Sequence, residues 1–302
     1  MPSLATYRSA HIDSSRWEGF PFRDGDVVIS TRSKSGTTWM QMICALLIFQ
    51  SPELPEPLPA MSPWLEQTIA PKDEVYERLA AQRHRRFIKT HTPLDGVPMD
   101  PRVTYVVVGR HPLDMAVSLY HMYDNLDGER FRALTRRPAT ATAPEPRPSL
   151  HDWLIAWIDR DVPHSDDLSS LPGAMWHLTD AWERHLCRPN VLLVHYDDLL
   201  ADLAGEMRRI ADALDITVPE HLWPALVDAA TFGSMKSRAD RLVPTAGGLL
   251  KDVTAFFRRG ASGTGSEVLT EEELARYDRR AHELAPADLL RWLHRRPGDL
   301  PR

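Results

Sequence analysis

Lys34, Ser35, Gly36, Thr37 and Thr38 place an ammonium, three hydroxyls and a glycine in five consecutive positions. The chemistry that suits this set is anion binding. Glycine lets the backbone turn so that N–H groups converge, and the lysine adds a full positive charge. The apolar run 27–29 before the set and the densely apolar run 39–49 after it predict strand, tight loop and helix. The loop then sits at a helix N-terminus, where the partial positive charge favours phosphate. A Walker loop carries its lysine directly after its last glycine, whereas Lys34 precedes Gly36 by two, an order unsuited to an ordinary NTPase.

Three further groups could share that site. Lys89-Thr90-His91 closes an apolar strand-like run, so His91 falls at a strand end, where a neutral imidazole can accept a proton or simply be structural. Arg110 ends the apolar run 103–108, and Ser118 lies two turns along the helix expected after it. Both can therefore face one anion at the carboxyl edge of a parallel sheet. Residues 256–260, Phe-Phe-Arg-Arg-Gly, form either an exposed basic turn or a second anion contact.

The order Ser33-Lys34-Ser35-Gly36-Thr37-Thr38-Trp39 resembles the phosphosulfate loop of the cytosolic-type sulfotransferases, T-Y-P-K-S-G-T-T-W, with Arg32 and Ser33 in place of Tyr-Pro. Lys89-Thr90-His91 matches their K-T-H, and residues 110–118 resemble R-N-P-x-D-x-x-V-S. Residues 256–260 resemble F-x-R-K-G. The likeness covers about residues 24–277 and is greatest to bacterial glycolipid sulfotransferases. It implies 3′-phosphoadenosine 5′-phosphosulfate (PAPS) as cosubstrate, with no metal. It further implies Lys34, Ser35, Gly36, Thr37 and Thr38 on the phosphosulfate, and Arg110, Ser118, Arg258, Arg259 and Gly260 on the 3′-phosphate. Trp39 is implied at the adenine and, less strictly, Tyr196 and Phe232 at the nucleoside. His91 is the implied base, assisted by Lys34 and Lys89, which can neutralise charge on the transferring group.

The elements that must position these residues follow an α/β pattern. Strands are expected at 27–29, 87–90, 103–108 and 191–194. Helices are expected at 39–49, 71–82, 112–123, 150–159, 171–186, 220–228 and 232–237, and from near Thr270 and Pro286. Leu199, Leu203, Met207, Ile210 and Leu214 share one face of an expected single helix. The proline-rich stretch 51–63 reads as an irregular connection. Residues 124–149 lose all periodicity and read as a mobile insertion, of which 136–148 is a candidate lid over the acceptor. The whole, residues 1–302, is expected to be a single domain: a central, mainly parallel sheet flanked by helices, with a P-loop-like phosphosulfate-binding loop.

A chain of 302 residues, 43% hydrophobic, can bury such a core, and its formal net charge of −6 argues against a general nucleic-acid partner. Cys44 and Cys187 form no metal-spaced or redox pair, and no apolar run approaches the length of a membrane span. A cytoplasmic protein acting on a small-molecule or lipid hydroxyl is expected. Trp64, Tyr120, Trp153, Trp157 and Trp176 are candidates for an apolar acceptor pocket or for ordinary core. Asp197 and Asp198 read as helix N-terminal charges.

Two departures stand out. The family's Asp-Trp-Lys after Gly263 is replaced by Thr264-Gly265-Ser266. In the family's K-x-x-x-T-V-x-x-x-E dimer segment, Ser266, Glu271 and Ala275 occupy the Lys, Val and Glu positions. Two other functions therefore stand beside sulfonate transfer: a non-catalytic binding protein for 3′-phosphoadenosine 5′-phosphate (PAP), and a P-loop kinase. The run 103–108 ends in Gly109-Arg110 rather than a Walker-type aspartate, which counts against the kinase.

Overall fold

Four strands run parallel in the order β2-β1-β3-β4: β1 Val27–Thr31, β2 Phe87–Thr90, β3 Thr104–Gly109 and β4 Val191–His195. The computed structural model describes residues 3–135, 146–243 and 248–295. Strand order reverses at β1, which has β2 on one side and β3 on the other, so the loop after β1 opens at the topological switch point.

Side-chain alternation along each strand divides the core in two. Val28, Ile88, Tyr105, Val107, Val191 and Leu193 pack on one face, and Val27, Ile29, Phe87, Val106, Val108 and Val194 on the other. Both faces are covered by helices, which is why the strands read as continuous apolar runs. The first helices are α1 Thr37–Phe49, α2 Leu58–Met61, α3 Lys72–Ala81, α4 Pro112–Asn125 and α5 Gly128–Leu134. Next come α6 Leu150–Asp159, α7 Leu171–Cys187, α8 Tyr196–Ala201, α9 Leu203–Ala213 and α10 Trp223–Ala229. The last are α11 Phe232–Ser237, α12 Ala239–Leu242, α13 Thr264–Val268, α14 Glu271–Leu284 and α15 Ala287–Leu293. Among the described residues no helix is long and apolar enough to cross a membrane.

Three expectations need correction. The helix through Leu199 and Leu214 is two helices, broken at Asp202, whose carboxylate caps α9 by accepting from Gly205 N at 2.8 Å. The stretch 124–149 is not uniformly irregular: α4 extends to Asn125, and α5 is capped by Asp127, which accepts from Arg130 N at 2.9 Å. Residues 136–145, most of the candidate lid, lie outside the described residues. The proline-rich stretch contains α2, with prolines flanking or opening its first turn. The segment replacing Asp-Trp-Lys forms α13, anchored by the Asp114 carboxylate, which accepts from Gly263 N and Gly265 N at 2.8 Å each.

Candidate active site

The loop between β1 and α1 turns through two left-handed residues, Lys34 at φ 68° and Gly36 at φ 101°. Gly36 caps α1, and a Cβ there would meet the Tyr196 ring at 3.0 Å. A left-handed lysine is strained. It is held because Arg110 Nη1 donates to the Lys34 carbonyl at 2.9 Å. Ser35 is buried in the turn before α1, Thr37 and Thr38 are buried in the first turn of the helix, and Thr37 Oγ1 lies 2.5 Å from Thr31 Oγ1.

A cavity of about 820 Å³ opens at the carboxyl ends of the strands. It is lined by Lys34, Gly36, Thr37, Thr38, Trp39, Lys89, His91, Arg110, Ser118, Tyr196, Phe232, Arg258, Arg259 and Gly260. Residues separated by more than two hundred positions thus converge on one space. Ser35 lies in the same turn, buried, its N–H directed to the Arg32 carbonyl at 3.1 Å.

The basic residues in this space crowd one another. Lys34 is half-buried, with its ammonium 3.7 Å from the centre of the Phe256 ring. Burial first, then Arg110, Lys89 and Arg258, bring its pKa down to about 7. Burial brings Lys89 down to about 8, partly opposed by Glu66, and its ammonium stands 4.5 Å over the Trp64 ring. Burial and then Arg259 and Arg110 also lower Arg258. Arg110 lies 4.2 Å over the Tyr196 ring, and its Nη2 donates to the Ala261 carbonyl at 3.3 Å. Its buried Nε has no partner among the described residues. Such a cluster is stabilised by an incoming anion.

His91 differs from its cationic neighbours. Nδ1 lies 2.6 Å from the Thr31 carbonyl oxygen. A carbonyl only accepts, so Nδ1 carries the hydrogen and Nε2 keeps its lone pair. Burial, then Lys89 and Arg32, hold the pKa of His91 well below the ordinary histidine value.

Gly260 takes φ 63° and abuts the Phe232 ring, so a side chain there would collide. Trp39 meets Tyr196 edge to face, and its indole N–H donates to the Ala230 carbonyl at 2.8 Å. Arg259 is exposed and 3.6 Å from Glu267. Asp197 and Asp198 occupy the first turn of α8, as expected. Asp197 accepts from Ser262 Oγ, and Asp198 pairs with Arg295.

Of the aromatic candidates for the acceptor pocket, Trp64 lines the cavity. Tyr120, Trp153, Trp157 and Trp176 are not among its lining residues. Trp157 is core, its indole donating to the Ser169 carbonyl at 2.9 Å, and Trp176 stacks on His164. The remaining wall mixes Met122, Leu126, Phe131, Leu249 and Leu250 with Gln67, Arg160, Asp166 and Asp167.

Sequence reasoning gave no role to Arg32, Glu66, Asp114 or Phe256. Arg32 and Glu66 are buried charges, and nothing in their immediate sequence marks them as such.

The sulfotransferase domain family matches residues 24–288. The glycolipid sulfotransferases of Mycobacterium bovis and Mycobacterium tuberculosis are each 42% identical, over 97% of this chain and 95% of theirs. Among solved structures, a mouse sulfotransferase complexed with PAP aligns with a TM-score of 0.67 at 21% identity, covering 93% of this chain and 94% of that one. Retinol dehydratase, in complex with androsterone and inactive cofactor PAP, aligns with a TM-score of 0.69 at 21% identity, covering 96% and 89%. At such identities the structural likeness speaks for the fold.

Proposed function

The chain belongs to the sulfotransferase domain family, and from that premise we propose that it moves a sulfonate group from PAPS to a hydroxyl of a glycolipid or other small-molecule acceptor. PAPS supplies the activated sulfonate, and PAP is left behind. The cavity suits an anionic nucleotide. Its lysines and arginines repel one another in the absence of an anion, Arg110 Nε is a buried donor without a partner among the described residues, and Gly36 and Gly260 let the Tyr196 and Phe232 rings close on the backbone where a Cβ would collide.

One observation carries the reading: a buried, neutral His91 with its Nε2 lone pair free shares the cavity with Lys34 and Lys89. In the proposed mechanism His91 Nε2 takes the proton of the acceptor hydroxyl, which turns a weak nucleophile into a competent one. Lys34 and Lys89 balance negative charge where it develops. Lys34, Ser35, Gly36, Thr37 and Thr38 hold the 5′-phosphosulfate end. Arg110, Ser118, Arg258, Arg259 and Gly260 take the 3′-phosphate, and Trp39, Tyr196 and Phe232 flank the nucleoside. The mixed apolar and polar wall accommodates an acceptor with both lipid and hydroxylated parts.

The test is incubation with sulfur-labelled PAPS and a lipid extract, then a panel of phenols, with identification of the labelled product. Label on a hydroxyl-bearing acceptor is expected. Tight PAP binding with transfer to nothing in either set would replace this reading with a PAP-binding protein.

A further inference from the structure

Glu66 is fully buried and sits beside the end of β2. Its segment is laid along that strand by a parallel bridge between Trp64 and Lys89. Oε1 of Glu66 accepts from Thr90 Oγ1 and from His91 N, both at 2.6 Å, and from Thr92 Oγ1 at 3.4 Å. Its Oε2 has no hydrogen-bond partner among the described residues. From the other side, Arg32 donates to the His91 carbonyl, and Thr31 holds the imidazole. Trp64 completes the enclosure, its ring 4.7 Å from His91 and 4.5 Å from the Lys89 ammonium. His91 is thus gripped at its backbone N–H and C=O and at its ring Nδ1 by three different groups.

We propose that Glu66 is a positioning residue for sulfonate transfer, fixing the backbone that aims His91 and placing negative charge at Thr90, the residue next to Lys89. The inference rests on the functional reading above. A buried carboxylate has a high cost unless it is paired, so one that spends a single oxygen on three strand-end donors and leaves the other unpartnered needs a compensating cation nearby. Lys89 and Arg32 are the cations near it, and Glu66 opposes the lowering of the pKa of each. Lys34 from the β1–α1 loop and His91 at the strand end also face Lys89, and Arg32 faces both His91 and Glu66. Asp167 also faces Arg32, and among the described residues Glu66 is the carboxylate that faces Lys89 itself.

Glu66→Gln separates the two contributions, because the amide oxygen still accepts from Thr90 and His91 while the charge is gone. Lys89 is read without turnover, from the pH dependence of its labelling by an amine-reactive probe followed by mass spectrometry. In Glu66→Gln its titration should move to lower pH by about one unit. The alkaline limb of kcat/KM should move with it, and kcat on the acid side should stay near wild type. Glu66→Ala, checked for folding by circular dichroism, should lose about 10²-fold in kcat, with PAPS affinity changed by less than about twofold. An unmoved Lys89 titration in Glu66→Gln overturns the electrostatic half, and an undiminished kcat in Glu66→Ala overturns the positioning half. Lack of transfer by the wild type would instead strike the functional reading, since the labelling does not depend on it.

Discussion

His91 Nδ1 lies 2.6 Å from the carbonyl oxygen of Thr31, the last residue of β1. A main-chain acceptor on the neighbouring strand thereby selects the tautomer of the proposed base. It does so without a carboxylate, which would stabilise the charged imidazolium and raise the pKa.

His91→Ala should lower transfer by about 10²–10⁴-fold and leave PAPS affinity unchanged, because a base acts on the acceptor. In the wild type, the depressed pKa keeps His91 neutral through the ordinary histidine range. Its protonation therefore removes activity only at lower pH, and kcat should stay flat from neutral pH down through that range. A fall centred at the ordinary histidine value would show that the imidazole is exposed to water during turnover.

Nucleotide binding should draw protons from solution. Lys34 has a pKa of about 7 in the ligand-free protein, so it is largely neutral near pH 8. An adjacent anion restores its charge. Calorimetry in buffers of differing ionisation enthalpy should therefore show proton uptake near pH 8 that fades toward pH 6, and Lys34→Met should reduce it. By the same linkage, the unfolded chain binds more protons than the folded one between about pH 7 and the ordinary lysine value of 10.5. This group's destabilising contribution is full below about pH 7 and is relieved as pH rises.

Gly260→Ala should weaken PAP binding and cost roughly 1–3 kcal/mol of stability, since the new side chain meets both a left-handed backbone and the Phe232 ring. Gly263→Ala is the comparison. Gly263 is also left-handed, at φ 92°, but nothing lies within 4 Å of its would-be Cβ. Thermal unfolding of both variants with and without PAP separates strain from collision. Equal losses in the two would show that packing on Phe232 has no part in the site.

Much of this was legible in the chain. Val27 to Ile29 and the run ending at Val108 are apolar because a parallel sheet is covered on both faces, and that same burial sets the strands apart from their surroundings. The order of Lys34 and Gly36 marked the anion loop. Other features were not legible. Spacings of four residues from Leu199 to Met207 fit one helix, and only the capping contact of Asp202 shows where the chain turns. Glu66 reaches His91 across 25 residues of sequence, and nothing local at either position announces the contact. Asp114 could be matched to a motif, but its grip on Gly263 and Gly265 depends on how the loop before α13 folds back on α4.

Arg110 should distinguish PAPS from adenosine 5′-phosphosulfate, which lacks the 3′-phosphate. Its guanidinium bridges two loops, donating to the carbonyls of Lys34 at 2.9 Å and Ala261 at 3.3 Å. Arg110→Ala therefore has two consequences. Loss of the bridge loosens the phosphosulfate loop and weakens both nucleotides alike. Loss of the charge facing the 3′-phosphate weakens PAPS alone, by roughly 1.5–3 kcal/mol or about ten- to a hundredfold. The difference between the two losses, measured by calorimetry on a variant whose fold is confirmed by circular dichroism, isolates the phosphate contact from the bridge. Equal losses for the two nucleotides would mean that Arg110 ties the loops together without touching the 3′-phosphate. Arg258 and Ser118 would then remain as the groups to test for that role by the same subtraction.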